Sequence, residues 1–131
     1  MRTPHPTLTP QELAIMKVVW RLESATVRAV YEALRDQRPV AYTTVMTMMK
    51  ILEAKGYLRK RRSDRAYVYR PARSRQQVLG GMVRDFLDRV FDGASRPLLL
   101  HLTEDERLSA REREAIRRLV QDIDDNGEQE G

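Results

Sequence analysis

Three stretches of helical spacing, then two short alternating runs about a turn, then helical spacing again, predict a mainly α-helical chain with one small β-hairpin. Charge divides the same chain into a basic front and an acidic back, which predicts two separate jobs. The 131 residues suit one domain, or a small domain with an appendage, at roughly 100–200 residues per domain.

Thr9 can cap the first helix, Pro10 suits its first position, and Glu12 completes a capping box. Leu13, Met16, Val19 and Trp20 follow at helical spacing and are expected inside. A second helix spans about residues 26–36, with Val27, Val30, Tyr31 and Leu34 inward, before Pro39 breaks the chain. A third spans about 41–55, and Gly56 follows it as a left-handed cap. The period then changes. Residues 58–62 and 66–70 read as strands, with Tyr67 and Tyr69 on one face. Ser63, Asp64 and Arg65 have turn composition, and Pro71 ends the second strand. Three helices followed by such a hairpin are the winged helix-turn-helix plan, with the hairpin as wing and the third helix as recognition helix.

The back half reads as a helical dimerisation region. One helix covers about 74–91, carrying Leu79, Met82, Val83, Phe86, Leu87 and Val90. Gly80 and Gly81 weaken it, by roughly 1 kcal/mol each against Ala, and imply a kink or a close helix contact. Pro97 is read as the start of a short helix holding Leu98 and Leu102. Thr103 with Glu106, and Ser109 with Glu112, offer two capping boxes. The second opens a last helix with Ile116, Leu119, Val120 and Ile123 on one stripe. The acidic tail after Asp124 is expected to be disordered. The expected boundary separates a winged-helix DNA-binding domain, 1–73, from a helical dimerisation region with its tail, 74–131.

Composition excludes several functions. With no Cys there is no disulfide, thiolate–metal site or cysteine nucleophile. His5 and His101 are too few for an all-imidazole metal site. His5 lies in a Pro-containing arm read as unstructured, and His101 is read as a packing or interface residue. No Gly-rich phosphate loop, Ser/His/Asp set or metal-ligand cluster is apparent. The expectation is no enzyme, no metal and no cofactor. No signal-peptide pattern opens the chain, and Leu98-Leu99-Leu100 is too short to span a bilayer. A cytoplasmic protein is expected.

Residues 1–75 hold 16 Lys/Arg and six Asp/Glu, a net of +10, whereas 76–131 hold eight and 13, a net of −5. Positions 55–75 alone carry nine cations against Asp64. Such crowding suits a polyanion. In the third helix, Val45, Met48, Met49 and Leu52 fall on one side, and Thr43, Met46, Thr47, Lys50 and Ala54 on the other. The second face carries hydroxyls, a flexible apolar side chain and a cation, with Glu53 only at its far edge. Threonine can meet base edges, phosphate or a thymine methyl, and Met46 can pack on thymine methyls. Lys50 suits a phosphate or a guanine edge. Amides near Tyr42 to Thr44 favour a phosphate through the helix dipole. The candidate DNA-binding residues are therefore Tyr42, Thr43, Thr44, Met46, Thr47 and Lys50, the wing cations Lys60, Arg61, Arg62 and Arg65, and Arg28 near the start of the second helix. Tyr67 and Tyr69 fit either core or ligand contact.

Several segments carry a family likeness: Leu8-Thr9, Glu12-Leu13, Ile15-Met16, Trp20, Thr26-Val27-Arg28, the run Ala41-Tyr42-Thr43-Thr44-Val45-Met46-Thr47, Leu52, Lys55-Gly56-Tyr57-Leu58 and Tyr67-Val68-Tyr69. In the back half Val90-Phe91-Asp92-Gly93 and Leu108-Ser109 join them. On these residues the chain, over about 7–125, resembles the penicillinase repressor family of BlaI/MecI transcriptional regulators. The resemblance implies a dimeric repressor whose winged helix reads inverted-repeat DNA and whose C-terminal helices pair the subunits. It also implies a membrane sensor protease system as partner, which triggers cleavage of the repressor. Two positions depart from the family pattern. Ile51 stands where an Arg is frequent, and His101-Leu102 stands at the cleaved Asn-Phe pair. A related copper-responsive group uses Cys, which this chain lacks.

The dimerisation residues expected are Leu79, Met82, Val83, Phe86, Val90, Leu98, Leu102, Ile116, Leu119, Val120 and Ile123. Three short helices make a thin core alone, and a palindrome calls for two copies. At about 25 cal/mol per Å², burying ~800 Å² on each partner supplies a large hydrophobic term before association costs. The leading expectation is a homodimeric repressor that binds a double-stranded operator. The alternatives are a small-ligand-sensing winged-helix regulator and a protein-interaction adaptor.

Overall fold

In the computed structural model, which describes residues 7–130, the order is α1 (Pro10–Leu22), α2 (Val27–Arg35), α3 (Tyr42–Ala54), β1 (Leu58–Ser63), β2 (Ala66–Pro71), α4 (Arg75–Phe91), α5 (Ser95–Thr103) and α6 (Ala110–Glu130). The chain divides into two compact units, Met1–Leu79 and Gly80–Gly131, so the division falls inside the α4 sequence. His5 lies outside the described residues.

The first unit is a winged helix. The Thr9 hydroxyl accepts from the Glu12 amide at 3.1 Å, and the Thr9 amide donates to Glu12 Oε1 at 2.8 Å. Thr26 caps α2 in the same way by accepting from the Ala29 amide. Pro10 at the start of α1 loses no hydrogen bond the helix would have used. The inward faces of the three helices meet in a core of Ile15, Met16, Val19, Val30, Leu34, Val45, Met49 and Leu52, all buried. Burying each such side chain contributes about 1.5–3 kcal/mol against leaving it in water.

α3 ends in a Schellman motif. The Tyr57 amide donates to the Leu52 carbonyl, the Gly56 amide donates to the Glu53 carbonyl, and Gly56 takes φ +86°. That turn sends Leu58 into the core and starts the hairpin. β1 and β2 pair antiparallel from Leu58 opposite Pro71 to Ser63 opposite Ala66. Asp64 occupies the turn at φ +53°, a conformation Asp tolerates better than most residues. The link between α1 and α2 joins the sheet by one bridge, in which Ala25 and Tyr69 exchange both backbone hydrogen bonds at 2.8 and 2.9 Å. Trp20 Nε1 donates to the Arg73 carbonyl at 3.0 Å and ties the chain leaving the hairpin to α1.

The second unit is helical. Ser109 and Glu112 form the capping box of α6. α5 lies against α6, with Arg96 paired to Asp124 at 2.8 Å. Phe91 meets Phe86 in a T-shaped pair with centroids 5.9 Å apart and lies tilted against His101 at 5.7 Å. Among the described residues of this unit, only Leu87 and Val120 are buried.

Four expectations change. α5 starts at Ser95, so Pro97 is its third residue rather than its first; a donor there would have no intrahelical acceptor, so the N–H that proline lacks is not missed. Thr103 is the last residue of α5, and its hydroxyl donates to the Leu100 carbonyl instead of capping a box with Glu106. α6 extends to Glu130, so the residues after Asp124, expected as a separate tail, continue that helix. Gly80 and Gly81 have open space where a Cβ would sit, so no close contact among the described residues accounts for them.

Candidate nucleic-acid interface

α3 sorts its side chains by burial as its periodicity predicts. Val45, Met49 and Leu52 are buried and Met48 is half-buried. Thr43, Thr47, Lys50 and Ala54 are exposed on the other side, with Met46 and Thr44 half-buried. From Tyr42 to Leu52 the helix carries no carboxylate. Its N-cap is Ala41, which offers no side-chain acceptor, whereas α1 and α2 are capped by threonines. The Thr44 amide turns back to the Ala41 carbonyl at 3.1 Å. The Tyr42 and Thr43 amides are left without an intrahelical acceptor, a narrower set than the three the sequence suggested.

Tyr42 is half-exposed and its ring meets Tyr31 of α2 edge-on at 5.6 Å. Arg35 lies over the far partner of that pair, 5.5 Å from the Tyr31 ring centre. Tyr42 is therefore held by α2 while its outer edge stays accessible. Ile51 is also exposed.

The wing cations are not equivalent. Lys60 Nζ sits 3.4 Å from Glu53 Oε1 and 4.6 Å from the Tyr67 ring centre. The hydrogen bond to Glu53 raises the Lys60 pKa above its ordinary value and holds the ammonium charged. Arg62 lies over the same Tyr67 ring at 5.9 Å. Arg61, Arg65 and Lys50 have no ion-pair partner among the described residues. Arg28 pairs with Glu32 one turn on, at 3.3 Å. Lys60 and Arg28, both candidates for DNA contact on sequence grounds, are set apart from Arg61, Arg65 and Lys50 by their acidic partners. Tyr69 is buried core, and burial raises its pKa, whereas Tyr67 is exposed under the cations.

One functional contact had no signal in the local sequence. Glu12 is 3% exposed, and both its carboxylate oxygens accept from Lys55 Nζ at 2.9 Å. Lys55 also donates to the Thr7 carbonyl. Burial alone would raise the Glu12 pKa, but the Thr9 amide and the Lys55 ammonium together hold it below its ordinary value. The pair fastens the end of α3 to the start of α1 and so sets the angle at which the outward face is presented.

The penicillinase repressor family matches residues 8–122. The chain belongs to that family. It is 39% identical over 115 residues to the transcriptional regulator BlaI of Mycobacterium tuberculosis, covering 86% of this chain and 82% of that one. It is 28% identical over 107 residues to the penicillinase repressor of Bacillus licheniformis, covering 82% and 84%. The solved DNA-binding domain of the repressor BlaI superposes with a TM-score of 0.51 at 29% identity, over 57% of this chain and 90% of that one. The winged-helix architecture of the first unit is thus that of the family, and the family is one of repressors rather than enzymes. Among the described residues no helix is long and apolar enough to cross a membrane.

Proposed function

We propose that this member of the family is a homodimeric transcriptional repressor that occupies an inverted-repeat operator in duplex DNA. One observation carries it: α3 turns a carboxylate-free face of Thr43, Met46, Thr47 and Lys50 outward, beside unpaired wing cations. Threonine hydroxyls and methyls read bases, and Lys50, the wing and the free α3 amides meet phosphate. A protein of this kind acts where the chromosome is, in the cytoplasm.

Dimerisation is supported by the apolar surface of the second unit. Val83 and Leu119 are 57% and 52% exposed, and Phe86, Val90 and Leu102 are also open. Leu79, Met82, Leu98, Ile116 and Ile123 are half-buried, while Val120 is already covered within its own chain. The resemblance extends to a membrane sensor protease as releasing partner. Because His101-Leu102 replaces the cleaved pair, scission at that bond is not part of the proposal.

A gel-shift titration across salt tests the function. Specific binding to an inverted repeat, with a steep salt slope, is expected; equal binding to every duplex overturns sequence-specific repression. Lys50→Ala lowers the slope by about one on all sequences, whereas Thr47→Ala changes the preference between operators. A uniform loss from both variants removes base reading from this helix face. Sedimentation that finds only monomer at working concentration removes the dimer.

A further inference from the structure

The two faces of the hairpin treat their cations differently. Alternation places Leu58, Lys60 and Arg62 of β1 on one face, together with Tyr67 and Tyr69 of β2. On that face Lys60 is paired with Glu53, and Lys60 and Arg62 both cover Tyr67. The opposite face carries Arg59, Arg61 and Arg70, with Arg59 directly across from Arg70 and Arg61 across from Val68. All three arginines are exposed. None of their side chains has an ion pair, hydrogen bond or ring contact among the described residues.

Like charges directly opposite on paired strands destabilise a sheet. Among the described residues no carboxylate pairs with these arginines to offset the repulsion, and Glu53 is engaged by Lys60 on the other face. The outer row is also built only of arginine, whose rigid fork grips a phosphate through two parallel hydrogen bonds. We propose that Arg59, Arg61 and Arg70 form a phosphate-binding row that grips the backbone of duplex DNA, while Lys60 orients the wing through Glu53 without touching DNA. The row rests on the reading of the chain as a DNA-binding repressor. It adds Arg59 and Arg70 to the contact surface and withdraws Lys60 from it.

Backbone gripping is independent of sequence, so a short mixed-sequence duplex is a sufficient probe for the full-length chain. Arg59→Gln and Arg70→Gln each lower the slope of log affinity against log salt by about one, and together by about two. The neutral exchange Glu53→Gln with Lys60→Gln leaves the slope unchanged. Arg70→Glu replaces a repulsive cross-strand pair with an attractive one, so it raises the Tm of the free protein while weakening duplex binding most. Unchanged slopes in the two glutamine variants, with wild-type binding intact, overturn the row alone. A lower slope in the Glu53/Lys60 exchange overturns the assignment of Lys60. Loss of both Tm and binding in Arg70→Glu shows Arg70 to be structural and overturns the row. A wild-type chain that ignores duplex in dilute salt overturns the repressor reading and the row together.

Discussion

The winged-helix unit and the helical unit behind it are built from similar helices, yet they close differently. In the first, α1, α2 and α3 all bury an apolar stripe, and eight large side chains are fully buried, from Ile15 to Leu58. In the second, α5 buries nothing completely, and Val83, Phe86, Val90 and Leu119 face outward. The difference is one of geometry. Three crossing helices plus a hairpin can surround a core, whereas the α4 segment, α5 and α6 of the second unit leave their outer stripes open. On the proposed function, a domain that holds a rigid helix against DNA completes its own core, and a region that pairs subunits would complete it with a second copy.

The largest expected effect breaks that comparison directly. Leu52→Ala in the first unit lowers stability by about 2–5 kcal/mol, because it empties a packed site. Denaturant unfolding followed by the fluorescence of the single Trp, Trp20, reads this. Leu119→Ala changes that transition by no more than about 0.5 kcal/mol, and raises the dimer dissociation constant in sedimentation instead. Equal stability losses in both units would mean that the back unit already has a closed core.

Ion pairs sharpen the contrast. Glu12→Gln leaves Lys55 without its charge partner and lowers stability by about 1–3 kcal/mol. Asp124→Asn, which removes the exposed partner of Arg96, changes stability by about 0–1 kcal/mol. The Glu12 pair also carries a pH signature. The Glu12 pKa lies below its ordinary 4.5 in the fold. Its contribution is therefore complete above pH 4.5 and is lost as pH falls through the lower folded-state value. The wild-type Tm drops over that acid window, and Glu12→Gln flattens the drop.

Caps have a small effect, and it is the one in which the two units agree. Thr9→Ala and Ser109→Ala each cost about 1 kcal/mol, read by thermal unfolding and by helicity respectively. A cap is satisfied within one turn of helix, so the burial of the rest of the unit does not alter it.

Local chemistry explains what was legible. Thr9 with Glu12, Ser109 with Glu112, and Gly56 after α3 are signals spanning a few residues, and each forms as its spacing predicts. The outward face of α3 follows from a 3.6-residue period alone. Thr103 with Glu106 has the same spacing as a true capping box, but α5 already uses Thr103, so the local pattern was ambiguous. Glu12 and Lys55 are 43 positions apart, and Glu53 meets Lys60 only because the Schellman turn folds β1 back beside α3. Arg59 and Arg70 become neighbours only through strand register.

The order of elements, the two faces of α3, the cationic hairpin and the apolar stripes of the back half were determined by the sequence alone, because periodicity, caps and charge act over one or two turns of chain. Tertiary structure decided which cations are neutralised at home and which remain free, and which apolar stripes are covered. Those outcomes depend on distances between residues remote in sequence, and charge pairing and burial are set by distance.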